Sequence, residues 1–83
     1  MPVKVALYGR LGELIGRELE LSDWLVGSTM TDVRRYLAEE YPDAARDLLS
    51  SKVRACVDDA LVDDSHIVSA GQQIAFLPPV SGG

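Results

Sequence analysis

Val3, Val5 and Leu7 alternate with Lys4 and Ala6, a period of two that marks a strand with one buried face. Gly9, Gly12 and Gly16 then punctuate a connection carrying Leu11, Leu14 and Ile15. Arg17-Glu18-Leu19-Glu20-Leu21-Ser22 alternates again and reads as a second strand, closing a hairpin with the first. Met30, Val33, Leu37 and Tyr41 follow at spacings of three and four, the single apolar stripe of a helix packed on one side. Thr29 stands where an N-cap belongs, and Asp32 three residues on completes a capping-box pattern. Pro42 ends the helix, because the residue before a proline is pushed out of the helical region.

Beyond the helix, Ala44 to Leu49 reads as one further short helical turn. Val53, Ala55 and Val57 alternate as a third strand, and Asp58-Asp59 supplies a turn into the extended piece Ala60-Leu61-Val62. A polar connection, Asp63-Asp64-Ser65-His66, and a turn at Ala70-Gly71-Gln72 lead to the last strand, Gln73 to Leu77. Pro78-Pro79 then stops sheet pairing, since proline offers no backbone donor. The order hairpin, helix, then two or three strands predicts an α+β domain, a mixed sheet with one main helix packed across one face. The β-grasp, or ubiquitin-like, fold has this order. The chain divides into a domain over residues 1–77 and a flexible tail over residues 78–83.

Composition narrows the function. Eighty-three residues make one domain with a modest core. A formal net charge of −5 leaves no basic stripe for nucleic acid and no attraction to an anionic membrane surface. No apolar run approaches the roughly 20 residues of a membrane span. One cysteine, Cys56, rules out an intramolecular disulfide and fits a reducing compartment. Met1-Pro2-Val3-Lys4 lacks the apolar core of a signal peptide, so a cytoplasmic protein is expected.

No catalytic constellation is visible. Cys56 lies mid-strand with Arg54 as its basic neighbour, and reads as a packing residue. His66 has no second His or Cys nearby to share a metal. Asp58-Asp59 and Asp63-Asp64 lack the alternating acids and glycine of a calcium loop, and read as solvated turns. The glycines of the first connection lack the Lys-Ser/Thr ending of a phosphate-binding loop. No metal site is expected.

The tail is the informative segment. Phe76-Leu77-Pro78-Pro79-Val80-Ser81-Gly82-Gly83 is a strand that ends in a stiff spacer and a tip without side chains. The prolines favour an extended path, and the Gly-Gly backbone is slim enough to thread a narrow channel with its carboxylate leading. This ending resembles the C-terminal signature of the MoaD family, the small subunits of molybdopterin synthase. Further likeness lies in Val3-Lys4-Val5, Glu13-Leu14-Ile15-Gly16 and Ala55-Cys56-Val57-Asp58 leading into Ala60-Leu61-Val62. Three positions depart from the family pattern. Gly12 stands where an Arg often precedes Glu13, and Ala70 and Gln72 replace acids around Gly71.

The resemblance implies a sulfur carrier. An ATP-using, MoeB-like adenylating enzyme would activate the Gly83 carboxylate, and a persulfide sulfur donor would convert it to a thiocarboxylate. A MoaE-like large subunit, in a 2:2 heterotetramer, would take up the tail and pass the sulfur to a pterin precursor. Gly83 would carry the reactive group while the chain itself binds no cofactor and catalyses nothing. Gly82 and Ser81 would thread, Val80, Pro79 and Pro78 would position, and Phe76 with Leu77 would anchor a docking surface. The same terminus serves two other readings: a carrier for thiamine, cysteine or tRNA thiolation, and a ubiquitin-like protein modifier.

Overall fold

The computed structural model describes residues 3–22 and 25–78. The hairpin forms as its alternation requires, from β1 (Val3–Leu7) and β2 (Glu18–Leu21). The remaining strands are β3 (Arg54–Val57), β4 (Ala60–Val62) and β5 (Gln73–Leu77). They assemble in the order β2-β1-β5-β3-β4. The two central strands, β1 and β5, run parallel, and the other pairs are antiparallel.

Register aligns the apolar positions into rows. Leu19, Val5, Ile74 and Val57 form one row across four strands, and Leu7, Phe76, Ala55 and Val62 form the next. These rows face the main helix, α2 (Met30–Glu40), whose Met30, Val33 and Leu37 are completely buried. Tyr41, the fourth member of the predicted stripe, caps the helix and packs half-buried against the core. Thr29 and Asp32 make the reciprocal capping box, at 3.2 and 3.1 Å. That arrangement satisfies two backbone donors at the helix start, and such a cap contributes on the order of 1 kcal/mol. A 3-10 turn (Pro42–Ala44) and a short helix continue the chain. Among the described residues no helix is long and apolar enough to cross a membrane.

The Asp58-Asp59 turn has positive φ at both residues, 48° and 70°, as a two-residue hairpin turn of the right twist demands. Asp tolerates this region because its short polar side chain bonds locally. Here the Asp58 carboxylate accepts from the Gln73 amide at 3.0 Å, tying the turn to β5.

One element differs from expectation. The glycine-punctuated connection after β1 folds into a helix, α1 (Arg10–Ile15), which makes the later helix of Ala45–Leu48 α3. A six-residue helix containing a glycine has little intrinsic stability, so tertiary packing must hold it. Leu11 and Ile15, four apart, supply that packing; Leu11 is buried and Ile15 lies against the core.

Gly12 is required by the same packing. A Cβ placed there would sit 2.7 Å from the Leu7 carbonyl oxygen, a backbone atom that cannot swing aside. Helix propensity alone would favour Gly12→Ala by up to about 1 kcal/mol. Overpacking against backbone typically costs about 1–3 kcal/mol, so the clash wins. Gly12→Ala is expected to lower the urea midpoint, with net destabilisation of about 1–2 kcal/mol. A rise in the midpoint would show that α1 can shift freely.

Candidate functional site

The site is the place where the sheet releases the tail. β5 is held on both sides, by β1 and by β3, so its C-terminal end is a firm base. The Tyr8 amide donates to the Phe76 carbonyl at 3.3 Å, carrying the pairing to the strand's last turn. Leu77 stands opposite Arg54 on the face of the sheet away from α2, half-buried, and Pro78 is exposed. Pro79, Val80, Ser81, Gly82 and Gly83 lie outside the described residues, as does the greater part of the 78–83 tail.

The expectation that Phe76 helps to anchor a docking surface needs correction. Strand parity turns Phe76 toward α2, where it is completely buried and offers no surface to a partner. Its anchoring is internal: it fixes the root of the tail in the core. Leu77, one residue on, points the other way and remains available to a partner.

Above Phe76 lies Arg34, which the residue pattern does not single out. Its guanidinium carbon is 5.3 Å from the Phe76 ring centroid, within cation–π range. The residue is 6% exposed, and its guanidinium donates to three carbonyls: Val53 at 2.6 Å, Leu48 at 2.8 Å and Ser50 at 3.2 Å. Its Nε pairs with the Asp64 carboxylate at 3.0 Å. One cation thus ties α2 to the segment before β3, to the loop after β4 and to the strand carrying the tail. The available signal was position: residue 34 falls four after Met30 and three before Leu37, on the buried side of the helix.

Two surfaces flank the tail root. The first is a cleft of about 200 Å³ walled by Tyr8, Leu11, Val53 and Pro78, with Arg10 and Lys52 at its edge. Arg10 pairs with Asp47 at 3.0 Å. Gly9, at φ +60°, lies so near the root that a Cβ there would come within 3.0 Å of the Pro78 Cβ. The second is a row on the outer face of the sheet, Ala6, Ala75, Cys56 and Leu61, aligned across four strands. Leu61 is 59% exposed and Glu18 closes the row at the β2 edge. Cys56 belongs to this row and is itself buried among its neighbours.

The other candidate side chains do not converge on the root. His66 lies 3.3 Å from the Gln72 amide oxygen, on the far connection. The Asp63 carboxylate accepts from both the hydroxyl and the amide of Ser65, which holds it below the usual carboxylate range. Asp64 is engaged by Arg34 and Asp58 by the Gln73 amide. Among the described residues, no group of three or more His, Cys, Asp or Glu side chains could hold a metal ion.

Comparison with known proteins agrees with this geometry. The ThiS family matches residues 5–83. The chain is similar to the molybdopterin synthase sulfur carrier subunit of Escherichia coli (strain K12), 30% identical over 83 residues, covering 98% of this chain and 99% of that one. It is also similar to the solved structure of small archaeal modifier protein 1 from Methanosarcina acetivorans, 26% identical with a TM-score of 0.79, covering 99% and 96% of the two chains. The fold recurs in a complex of subunits 1 and 2 of the molybdopterin-converting factor from Helicobacter pylori 26695, at 20% identity and a TM-score of 0.66 over the full length of both chains.

Proposed function

This chain belongs to the ThiS family, and we propose that it is the sulfur carrier subunit of a molybdopterin synthase. The observation that carries the reading is end-to-end similarity to a named carrier, joined to a tail released from a strand paired on both sides. In this reading an adenylating enzyme uses ATP to join AMP to the Gly83 carboxylate. The carboxylate, a poor electrophile, becomes an acyl-adenylate with a good leaving group. The terminal sulfur of a persulfide donor displaces AMP to give an acyl disulfide. A thiol then reduces its S–S bond, becoming a disulfide itself and releasing the thiocarboxylate, which passes its sulfur to a pterin precursor.

The carrier supplies reach and presentation, while its partners supply the chemistry. Five residues follow Pro78, and at about 3.3 Å each they extend at most roughly 17 Å. The catalytic site must therefore come close to the tail root, and the large subunit docks there. The Helicobacter complex of two subunits supports a partner of that kind, which we place in a 2:2 assembly in the cytoplasm. Leu77 and the Ala6–Leu61 row provide the apolar contact area, since small and aliphatic side chains let two backbones approach closely.

A second reading, as a protein modifier joined through Gly83 to a lysine, draws support from the archaeal modifier likeness. Both readings share activation and differ in the acceptor. Incubation with the adenylating enzyme, ATP and a sulfide source is expected to add the mass difference between sulfur and oxygen to the intact chain. Addition of the large subunit and pterin precursor should then yield molybdopterin. A loaded carrier that makes no molybdopterin yet forms isopeptide conjugates would move the assignment to the modifier.

A further inference from the structure

The cleft beside the tail root has a composition that the sulfur-carrier reading does not by itself explain. We propose that it receives a segment of the large subunit in which an apolar side chain stands beside a carboxylate. This inference rests on that reading and specifies where the partner's channel mouth grips the carrier and by what chemistry.

Three observations lead there. The first is size and lining. An apolar cavity of about 150 Å³ accepts a benzene ring, so the 200 Å³ between Tyr8, Leu11, Val53 and Pro78 suits one aromatic or leucine-sized side chain. Leu11 and Val53 are buried core residues that form a fixed floor, while Tyr8 is 51% exposed and forms an outer wall.

The second is charge. The chain carries 13 acidic residues against 8 basic ones, yet the tail root is bordered by Arg10, Lys52 and Arg54. Asp47 is the acid among the residues lining the cleft, and Arg10 already engages it at 3.0 Å. Lys52 thus has no second acid in the lining to meet it. Arg54 continues the cationic edge onto the outer face beside Leu77. A partner carboxylate at this edge would be attracted even though the molecule as a whole repels acids.

The third is geometry of reach. Because the residues after Pro78 span at most roughly 17 Å, any enzyme that acts on Gly83 must bring its channel mouth to this surface. The cleft is continuous with that contact through Pro78, which is both its wall and the first residue of the tail.

The test measures binding of the intact carrier to the large molybdopterin synthase subunit of the same organism, at low and at high salt. Wild type is expected to bind, more weakly as salt rises. Lys52→Glu with Arg54→Glu is expected to weaken binding about tenfold or more at low salt and to flatten the salt dependence. Tyr8→Ala is expected to weaken binding severalfold with the salt dependence kept, because it removes the apolar wall and leaves the charges. All three side chains are exposed, so thermal melts should not move. If wild type binds and both variants match it at both salts, the cleft is not the contact and this inference fails while the carrier reading stands. If wild type does not bind the large subunit at all, the carrier reading fails, and the cleft proposal with it.

Discussion

A chain lacking Gly83 is expected to fold as the full-length protein does and to accept no sulfur. Among the described residues the buried core runs from Val3 to Phe76, and Gly83 has no side chain to add to it. In the proposed carrier reading, the carboxylate to be adenylated then belongs to Gly82 and falls one residue short. A loss of about 3.3 Å of reach is decisive, because adenylation needs the attacking oxygen at near-contact distance from the α-phosphorus. A misplacement of even about 1 Å can lower a rate on the order of a hundredfold, so loading should fall below detection. Intact mass after incubation with the adenylating enzyme, ATP and sulfide reads the loading, and a thermal melt reads the fold. Normal loading would show that the enzyme tolerates a shorter tail. A fall of several degrees in the melt would show that the tail packs on the domain.

Replacement of Arg34 should have the largest effect on stability. Arg34→Leu retains bulk but removes all the donors, leaving the Leu48 and Val53 carbonyls buried without their guanidinium partner. An unsatisfied buried acceptor costs about 1–3 kcal/mol, and two are left here, so we expect a loss of about 2–6 kcal/mol, a large share of the stability of a domain this small. Arg34→Lys should recover only part of it, since an ammonium cannot span three carbonyls and Asp64 in one plane. Asp64→Asn should cost far less, because that carboxylate is 52% exposed and solvent screens the pair. Urea denaturation of the three variants checks the ranking. If Arg34→Leu costs less than about 1 kcal/mol, the carbonyls find other donors and the hub assignment is wrong.

Arg34 also shows why a stability residue matters to the tail. It stacks on Phe76, and Phe76 is the last buried residue before the chain leaves the sheet. The variant that weakens this contact loosens the base from which Pro78 departs.

Much of the architecture was legible from local patterning. Period-two alternation located β1, β2 and β3, period-three-and-four spacing located α2, and the Thr29–Asp32 cap marked its start to the residue. These signals are local, because a strand or helix with one buried face must repeat its apolar residues at its own period. The mixed α+β arrangement followed from element order.

Sequence alone therefore determined which segments form strands and which face of α2 is apolar. It could not determine α1, Arg34's burial, Phe76's inward turn or the cleft at the tail root. The helix α1 exists only because Leu11 and Ile15 find the core and Gly12 clears the Leu7 carbonyl. Arg34 is buried only because three carbonyls of the segment before β3 converge on it. The cleft joins Tyr8, Lys52 and Pro78, positions far apart along the chain. The cleft depends on the parallel pairing of β1 with β5, which brings Tyr8 beside Pro78. Periodicity reports the environment of one segment; which distant segment supplies that environment is decided when the whole sheet closes over the helix.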